Sequence, residues 1–399
     1  MLTAESSVPS FGRTALTILG LAMAPAIGLG IGRFAYALVL PDMRAALHWS
    51  YAEAGFMNTV NAAGYLIGAL MAAPLAARLG LMRTLLFGSF AVLASLLASA
   101  VWETFFLLCL ARLLAGAGAA LAFVAGGSLA AGLSLHHGGR GSFLLSLFYV
   151  GPGIGIASSG AMTPLLIERL GPGSWQMAWG ALTLLGLVLA SGLILGRQAA
   201  GGAPPSQPKT GDRIALGPPG FILASYFLFG IGYIAYMTFM IAWLQERGGG
   251  PGVQATFWVL IGAGGVISPF AWSWVYNRFT GGRPVMVLLL ITMAGSVLPL
   301  FSAHSLVLAI SALLFGSSFF AVVAGTTAFV RKNYPQRLWP RGIGVMTITF
   351  SVGQTFGPVL VGVITDVFGG LSLGLGLSAG CLALAAILAA LQQDLKIVE

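Results

Sequence analysis

The chain has 399 residues, of which 58% are hydrophobic and 7% charged, with a mean hydropathy of +0.94. A soluble domain of that make-up would have almost nothing to turn toward water, so a soluble enzyme or binding module is excluded. The net charge of +9 does not describe a nucleic-acid surface either, because most of the 19 Lys and Arg fall in one set of alternate loops between apolar runs, a bias that puts both termini in the cytoplasm.

A spanning helix needs about 20 apolar residues, and the chain has room for twelve with short loops. The first is expected over 14–40, closed by Pro41-Asp42 on the outer side. A cleavable signal peptide is the competing reading, from Arg13, an apolar run and Ala22-Met23-Ala24, but Pro25 and the unbroken apolar continuation favour a retained helix. The second helix spans 51–77. The third reaches Trp102-Glu103, and the fourth covers 105–132. The fifth holds Gly151-Pro152 and ends at Glu168-Arg169; the sixth covers 175–195. Residues 197–219, rich in Gly, Pro and Ala, form a cytoplasmic linker between domains 1–196 and 220–399. Six further helices are expected over 220–244, 253–275, 285–302, 306–330, 342–367 and 371–391. Cys109 and Cys381 both sit in apolar runs, which leaves no disulfide or metal framework.

The two halves are related by a shift of 200 residues. Gly30-Ile31-Gly32-Arg33-Phe34-Ala35-Tyr36 returns as Gly230-Ile231-Gly232-Tyr233-Ile234-Ala235-Tyr236, identical at five of seven positions. Gly64 and Ile67 fall on Gly264 and Ile267, Arg78 and Arg83 on Arg278 and Arg283, and Leu113-Leu114 with Gly116 on Leu313-Leu314 with Gly316. Loop arginines matching in register with helix glycines mark a genuine internal repeat. Two parallel six-helix halves are the organisation of carriers that rock about a mid-membrane site.

With these residues in place the chain resembles the major facilitator superfamily over nearly its full length, and the G-x-G-R-F-x-Y segment looks most like the YbfB/YjiJ group of bacterial members. The superfamily's helix 4 pattern R-x-x-x-G-x-G-A-A is met by Arg112, Gly116, Gly118, Ala119 and Ala120. The exporter-type G-P-x-x-G of helix 5 is met by Gly151, Pro152 and Gly155, with Leu147 where a preceding glycine is usual. The loop pattern between helices 2 and 3 survives only as Arg78 and Gly80, with Ala77 in place of the aspartate and Asn277 at the equivalent point of the second half. The resemblance implies an all-α membrane protein of two pseudo-symmetric six-helix bundles, with helices 1, 2, 4, 5, 7, 8, 10 and 11 around a central cavity.

Arg33 and Arg112 lie inside spanning segments, where a charge costs roughly 2.5–3.5 kcal/mol on insertion scales and is a functional-site hypothesis by default. Each lies about 12 Å below the outer boundary expected for its helix. The ten acidic residues, Glu5, Asp42, Glu53, Glu103, Glu168, Asp212, Glu246, Asp366, Asp394 and Glu399, all fall at helix ends, loops or tails. A guanidinium without a carboxylate favours an anionic ligand that accepts paired hydrogen bonds. Two other readings stand beside this: Arg112 braces helix 1 or 2 carbonyls and the amides of Asn58 and Asn61, and Arg33 reaches outward to Asp42 or Glu53. Candidate substrate contacts are Arg33, Tyr36, Asn58, Asn61, Arg112, Tyr149, Tyr233, Tyr236 and Gln354, the polar and aromatic residues on cavity faces; interhelical glue is the alternative for each. Gly30, Gly32, Gly151, Pro152, Gly357 and Pro358 are candidate bending points, and Arg78, Gly80 and Arg278 candidate gating positions.

No P-loop, metal-ligand cluster or nucleophile–base pair is present, so neither an ATP-driven pump nor an enzyme is expected, and no cofactor. The expectation is a secondary transporter of the bacterial inner membrane, a monomer in the lipid bilayer. It would move a small organic anion or amphipathic metabolite by alternating access, with protons or a counter-substrate as coupling partner. The alternatives are a proton-coupled multidrug or metabolite exporter and a non-transporting sensor or lipid-handling protein.

Overall fold

The computed structural model describes residues 10–199 and 216–395, without the side chains of 136, 198 and 340. Most of the expected linker, 197–219, and Glu5, Asp212 and Glu399 lie outside the described residues. In lipid every backbone polar group must be paired within its own segment, and the described chain accordingly forms helices with no strand among them. Twelve are long and apolar enough to span a bilayer: α1 Phe11–Ala46, α2 Tyr51–Leu79, α3 Leu81–Val101, α4 Phe105–Ser134, α5 Gly141–Leu170, α6 Trp175–Gly196, α7 Gly220–Glu246, α8 Pro251–Arg278, α9 Arg283–Phe301, α10 Ser305–Asn333, α11 Gln336–Phe368 and α12 Leu371–Leu391. Their alternation puts both described ends at one face, here the terminal face. The α1–α2, α5–α6, α7–α8 and α11–α12 loops lie at the opposite, loop face.

The helices fall into two halves, α1–α6 and α7–α12, and the repeat is visible in the packing. A Cβ on Gly116 of α4 would lie 2.0 Å from the Asn61 carbonyl of α2, and one on Gly316 of α10 would lie 2.3 Å from the Ile261 carbonyl of α8. These are the same contact shifted by 200 residues, and only glycine permits the backbone approach. The halves meet where α2 packs on α11, α5 on α8 and the outer part of α1 on α7.

Three helices depart from the expected course. First, α1 does not stop at Pro41 but carries that proline inside its last segment, Tyr36–Ala46; in spanning helices, neighbouring groups can re-satisfy the backbone that a proline frees. Second, α1 is π-helical from Ala26 to Phe34, the stretch holding Gly28, Gly30, Gly32 and Arg33. Third, α5 is interrupted at Val150 and α8 at Trp272. In α5, Pro152 cannot donate to the carbonyl four residues earlier, so the helix restarts at Gly151.

Candidate functional site

Arg33 sits in the last turn of the π-helical stretch of α1, 2% exposed. A π-bulge inside an α-helix is frequently found at functional sites, and here it carries the one charged residue of the stretch. The Arg33 Nη2 donates to Gln354 Oε1 of α11 at 2.6 Å, and the Tyr233 hydroxyl of α7 donates to the same oxygen at 3.0 Å. Arg33 Nε and Gln354 Nε2 are buried with no partner among the described residues. The guanidinium carbon also lies 5.2 Å from the Tyr65 ring centre and 5.8 Å from that of Phe34, within cation–π range.

Arg112 of α4, 3% exposed, is engaged differently. Its Nη1 donates to the Gly32 carbonyl at 2.7 Å, and its Nη2 to the Arg33 carbonyl at 3.3 Å and to Asn58 Oδ1 at 3.2 Å. The two arginines are therefore level, although α1 continues roughly 20 Å beyond Arg33 at 1.5 Å per residue. Asn61 does not reach the guanidinium; its Nδ2 donates to the Arg112 backbone carbonyl at 3.0 Å. Asn58 Nδ2 donates across the halves to Thr238 Oγ1 at 2.6 Å. In the second half Ala312, Trp258 and Ile261 stand where the first has Arg112, Asn58 and Asn61, so this polar cluster has no counterpart there.

Beside Arg33 lies a cavity of about 60 Å³ walled by Leu29, Phe34, Tyr65, Phe123 and Phe229, with Tyr233, Phe319, Phe320, Val323 and Phe350 completing it. Arg33 is its one charged wall residue among the described residues. Of the expected contacts, the structure brings Arg33 and Tyr233 to the wall, with Gln354 hydrogen-bonded to both. Tyr149 of α5, 41% exposed, stands 6.0 Å ring to ring from Phe123, so it borders the cavity on the terminal side. Tyr36 and Tyr236 are not at the cavity: Tyr36 donates to the Ala54 carbonyl and stacks on Trp179, while Tyr236 meets Ser311 and packs on Phe315. Tyr233 apart, the aromatic wall leaves no signal in the sequence, because a phenylalanine facing lipid and one facing a cavity read alike in an apolar span. A larger cleft of about 430 Å³ between α8 and α10, lined by Val253, Phe257, Leu260 and Leu308 with only small hydroxyls, lacks a charged group.

The expected outward reach of Arg33 does not occur: its Nη2 turns to Gln354 instead. Asp42 accepts from the Gly173 backbone at 2.8 Å, and Glu53 closes a capping box with Ser50 at the start of α2. At the loop face Asp366 of α11 accepts from the backbone N–H of Tyr51 at 2.9 Å and of Ala52 at 2.8 Å. The Tyr51 hydroxyl donates to Glu246 of α7 and accepts from Arg44 at 3.2 Å. This polar cluster joins the halves at that face. Among the described residues no group of three or more His, Cys, Asp and Glu could hold a metal.

Most of the candidate bending residues are points of closest approach. A Cβ on Gly30 would lie 2.5 Å from Gly155 Cα and 2.8 Å from the Pro152 carbonyl, and one on Gly151 2.1 Å from the Ala22 carbonyl. Gly32 abuts Val92 of α3, and Gly357 the Ile231 carbonyl of α7. The Pro358 carbonyl lies 2.3 Å from where a Gly55 Cβ would be, across the halves. Gly80 has φ +85 in the α2–α3 turn, where a side chain would be strained. Arg78 and Arg278 are exposed in the last turns of α2 and α8.

Twelve helices in two repeated halves, meeting around a mid-span cavity with an arginine in its wall, define a secondary transporter of the major facilitator type. The chain belongs to the family described as uncharacterised MFS-type transporter YbfB, whose model matches residues 25–390. Two solved structures share the fold. A bacterial homologue of the human lysosomal transporter Spinster, in an inward-facing and occupied conformation, superposes with a TM-score of 0.64 at 15% identity, over 96% of this chain and 97% of that one. A point mutant of the nucleoside transporter NupG superposes with a TM-score of 0.71 at 12% identity, over 95% and 98%. No curated protein matches the chain at a significant level.

Proposed function

We propose that the protein carries a small organic anion, or an amphipathic metabolite bearing an acidic group, across the bacterial inner membrane by alternating access, with Arg33 as the anchor. The observation that carries this reading is the state of Arg33: buried at the cavity wall, its Nη2 on a neutral amide oxygen, with Nε unpartnered and no carboxylate against it among the described residues. A buried cation so weakly compensated is costly, and a carboxylate on its fork relieves that cost with charge-assisted bonds. The aromatic wall adds support for an apolar portion in the solute.

The loop-face cluster of Asp366, Tyr51, Glu246 and Arg44, together with exposed Tyr149 on the terminal side, supports a state closed at the loop face and approached from the terminal face. With the positive-inside bias this is the cytoplasm-facing state. Arg112 serves as the brace of α1 at the arginine's level. Gly30, Gly151 and Gly357 serve as sliding contacts between helices, and Arg78, Gly80 and Arg278 as terminal-face gate positions. The described carboxylates stand at helix ends and not beside Arg33, which favours exchange for a counter-substrate over a proton carried within the cavity. Export of amphipathic compounds is the second reading, and the aromatic wall is the observation that favours it.

Counterflow in proteoliposomes tests the proposal. Vesicles preloaded with an organic anion should accelerate uptake of the labelled anion through the wild-type protein, and Arg33→Gln should abolish the acceleration. Arg33-independent counterflow of neutral or cationic amphiphiles would replace the first reading by the second.

A further inference from the structure

Several features of the Arg33 cavity restrict which anion it suits. The first is charge. Arg33 is the one charged residue of the described wall, and the neighbouring Arg112 spends its fork on the Gly32 and Arg33 carbonyls and on Asn58. A single guanidinium compensates a single negative charge; a dianion such as a phosphate monoester or dicarboxylate would bury an unpaired charge, which is expensive at low dielectric.

The second feature is shape. Phe229 and Tyr233 stack at 4.9 Å with planes 19° apart, Tyr233 and Phe350 at 5.4 Å and 19°, and Phe229 and Phe350 at 5.7 Å and 22°. Phe319 continues the array, 6.1 Å from Tyr233 and 18° from its plane. All four rings belong to the cavity wall, and near-parallel rings favour a flat π-system in offset contact over a saturated chain.

The third feature is the set of donors. Gln354 Nε2 is buried and unpartnered, and the Tyr233 hydroxyl donates beside it. A carboxylate has about four lone-pair positions on two oxygens, and the Arg33 fork, this amide and this hydroxyl suffice to fill them once the Gln354 oxygen gives way.

We propose that the ligand of this site is a planar aromatic monocarboxylate, its carboxylate displacing the Gln354 oxygen from Arg33 and its ring lying against the Phe229–Tyr233–Phe350 array. The proposal rests on the Arg33 anion reading above. Because Arg33 and Gln354 belong to opposite halves, such a ligand takes over the contact that ties them at the cavity.

The test is thermal unfolding of the purified protein with benzoate, cyclohexanecarboxylate, benzamide, phthalate or phenyl phosphate. It is run on the wild type, Arg33→Gln and Gln354→Glu. Benzoate is expected to raise Tm in a saturable way. The other four should bind at least about tenfold more weakly, a difference of roughly 1.4 kcal/mol. Arg33→Gln should lose the response to benzoate. Gln354→Glu, which sets a carboxylate on Arg33 within the chain, should fold with a raised Tm and no longer respond. Phthalate, phenyl phosphate or cyclohexanecarboxylate binding as tightly as benzoate through Arg33 would overturn the aromatic monocarboxylate while leaving an anion site. A full benzoate response in Gln354→Glu would remove Gln354 from it, and no Arg33-dependent response to any anion would overturn both proposals.

Discussion

Arg33 and Tyr233 occupy equivalent positions in the two repeats, 200 residues apart, and both donate to the same Oε1 of Gln354, at 2.6 and 3.0 Å. The repeat brings the two positions to one point between the halves, and the change from tyrosine to arginine puts a single charge there. Sequence symmetry thus becomes a pair of donors on one acceptor, and one of the motif's two changed positions becomes the most costly side chain at the interface.

Removing that charge separates anchoring from folding. Arg33→Gln keeps an amide able to meet Gln354 but loses the charge-assisted bonds, each worth about 1.5–3 kcal/mol, so anion affinity should fall roughly tenfold to a hundredfold for each bond lost, and further when both bonds of the fork go. Arg33→Lys keeps the charge as a point donor and loses the planar fork, so its affinity should lie between the two. Isothermal titration against the wild type checks the order. Equal affinities in all three proteins would remove the anchor role.

Arg112 should behave differently under the same substitution. Arg112→Gln leaves the Gly32 and Arg33 carbonyls and the Asn58 oxygen without their shared donor, at roughly 1–3 kcal/mol for each buried group stranded. Its signature is a lower Tm and a mixed size-exclusion profile in the absence of any ligand. A stable Arg112→Gln protein that binds no anion would move Arg112 from bracing to binding.

How much of this was legible in the sequence depends on whether the signal is local or spatial. Arg33, Arg112 and the glycine repeat could be read directly, because a charge or a run of small residues in an apolar span contradicts its surroundings. The end of α1 could not: Pro41 reads as a stop, yet the helix reaches Ala46, and the π-helical turns over 26–34 share their Gly-Ile-Gly string with 230–232, which is ordinary α-helix. Tyr36 and Tyr236 share the motif of the site residues but face away from it, since a few residues of helix rotate a side chain to another face. Phe123, Phe319 and Phe350 are wall residues only because of how α4, α10 and α11 are packed, a relation with no local trace.

The loop-face contact is open to a charge test. Asp366 presents its carboxylate to the first two N–H groups of α2 from the other half of the molecule, where the helix dipole favours an anion by about 0.3–1 kcal/mol, up to ~2 when partly buried. Asp366→Asn retains one acceptor and loses the charge. Spin labels on Ala46→Cys and Gln245→Cys should report a broader and longer distance distribution in the variant. An unchanged distribution would mean that the carboxylate is not holding this face shut.

Steric blocking of the same face gives the opposite control, because it acts on backbone approach and not on charge. Gly55 of α2 faces the Pro358 carbonyl of α11 so closely that a Cβ would lie 2.3 Å away, and Gly362 of α11 faces the Tyr51 carbonyl at the same distance. Real side chains do not tolerate such contacts, so Gly55→Val forces the two helices apart where they now touch. If the protein alternates between two closures, the variant should populate the state open at the loop face, since destabilising one conformer shifts the equilibrium toward the other. The Ala46–Gln245 distance should lengthen, and a Cys at Tyr149, exposed in the present state, should react more slowly with a membrane-impermeant maleimide applied from the terminal face. Counterflow should fall with it, because exchange requires both states in turn. Lengthening at the loop face with undiminished labelling of Tyr149→Cys would show that the two faces open independently, and alternating access would not describe this carrier.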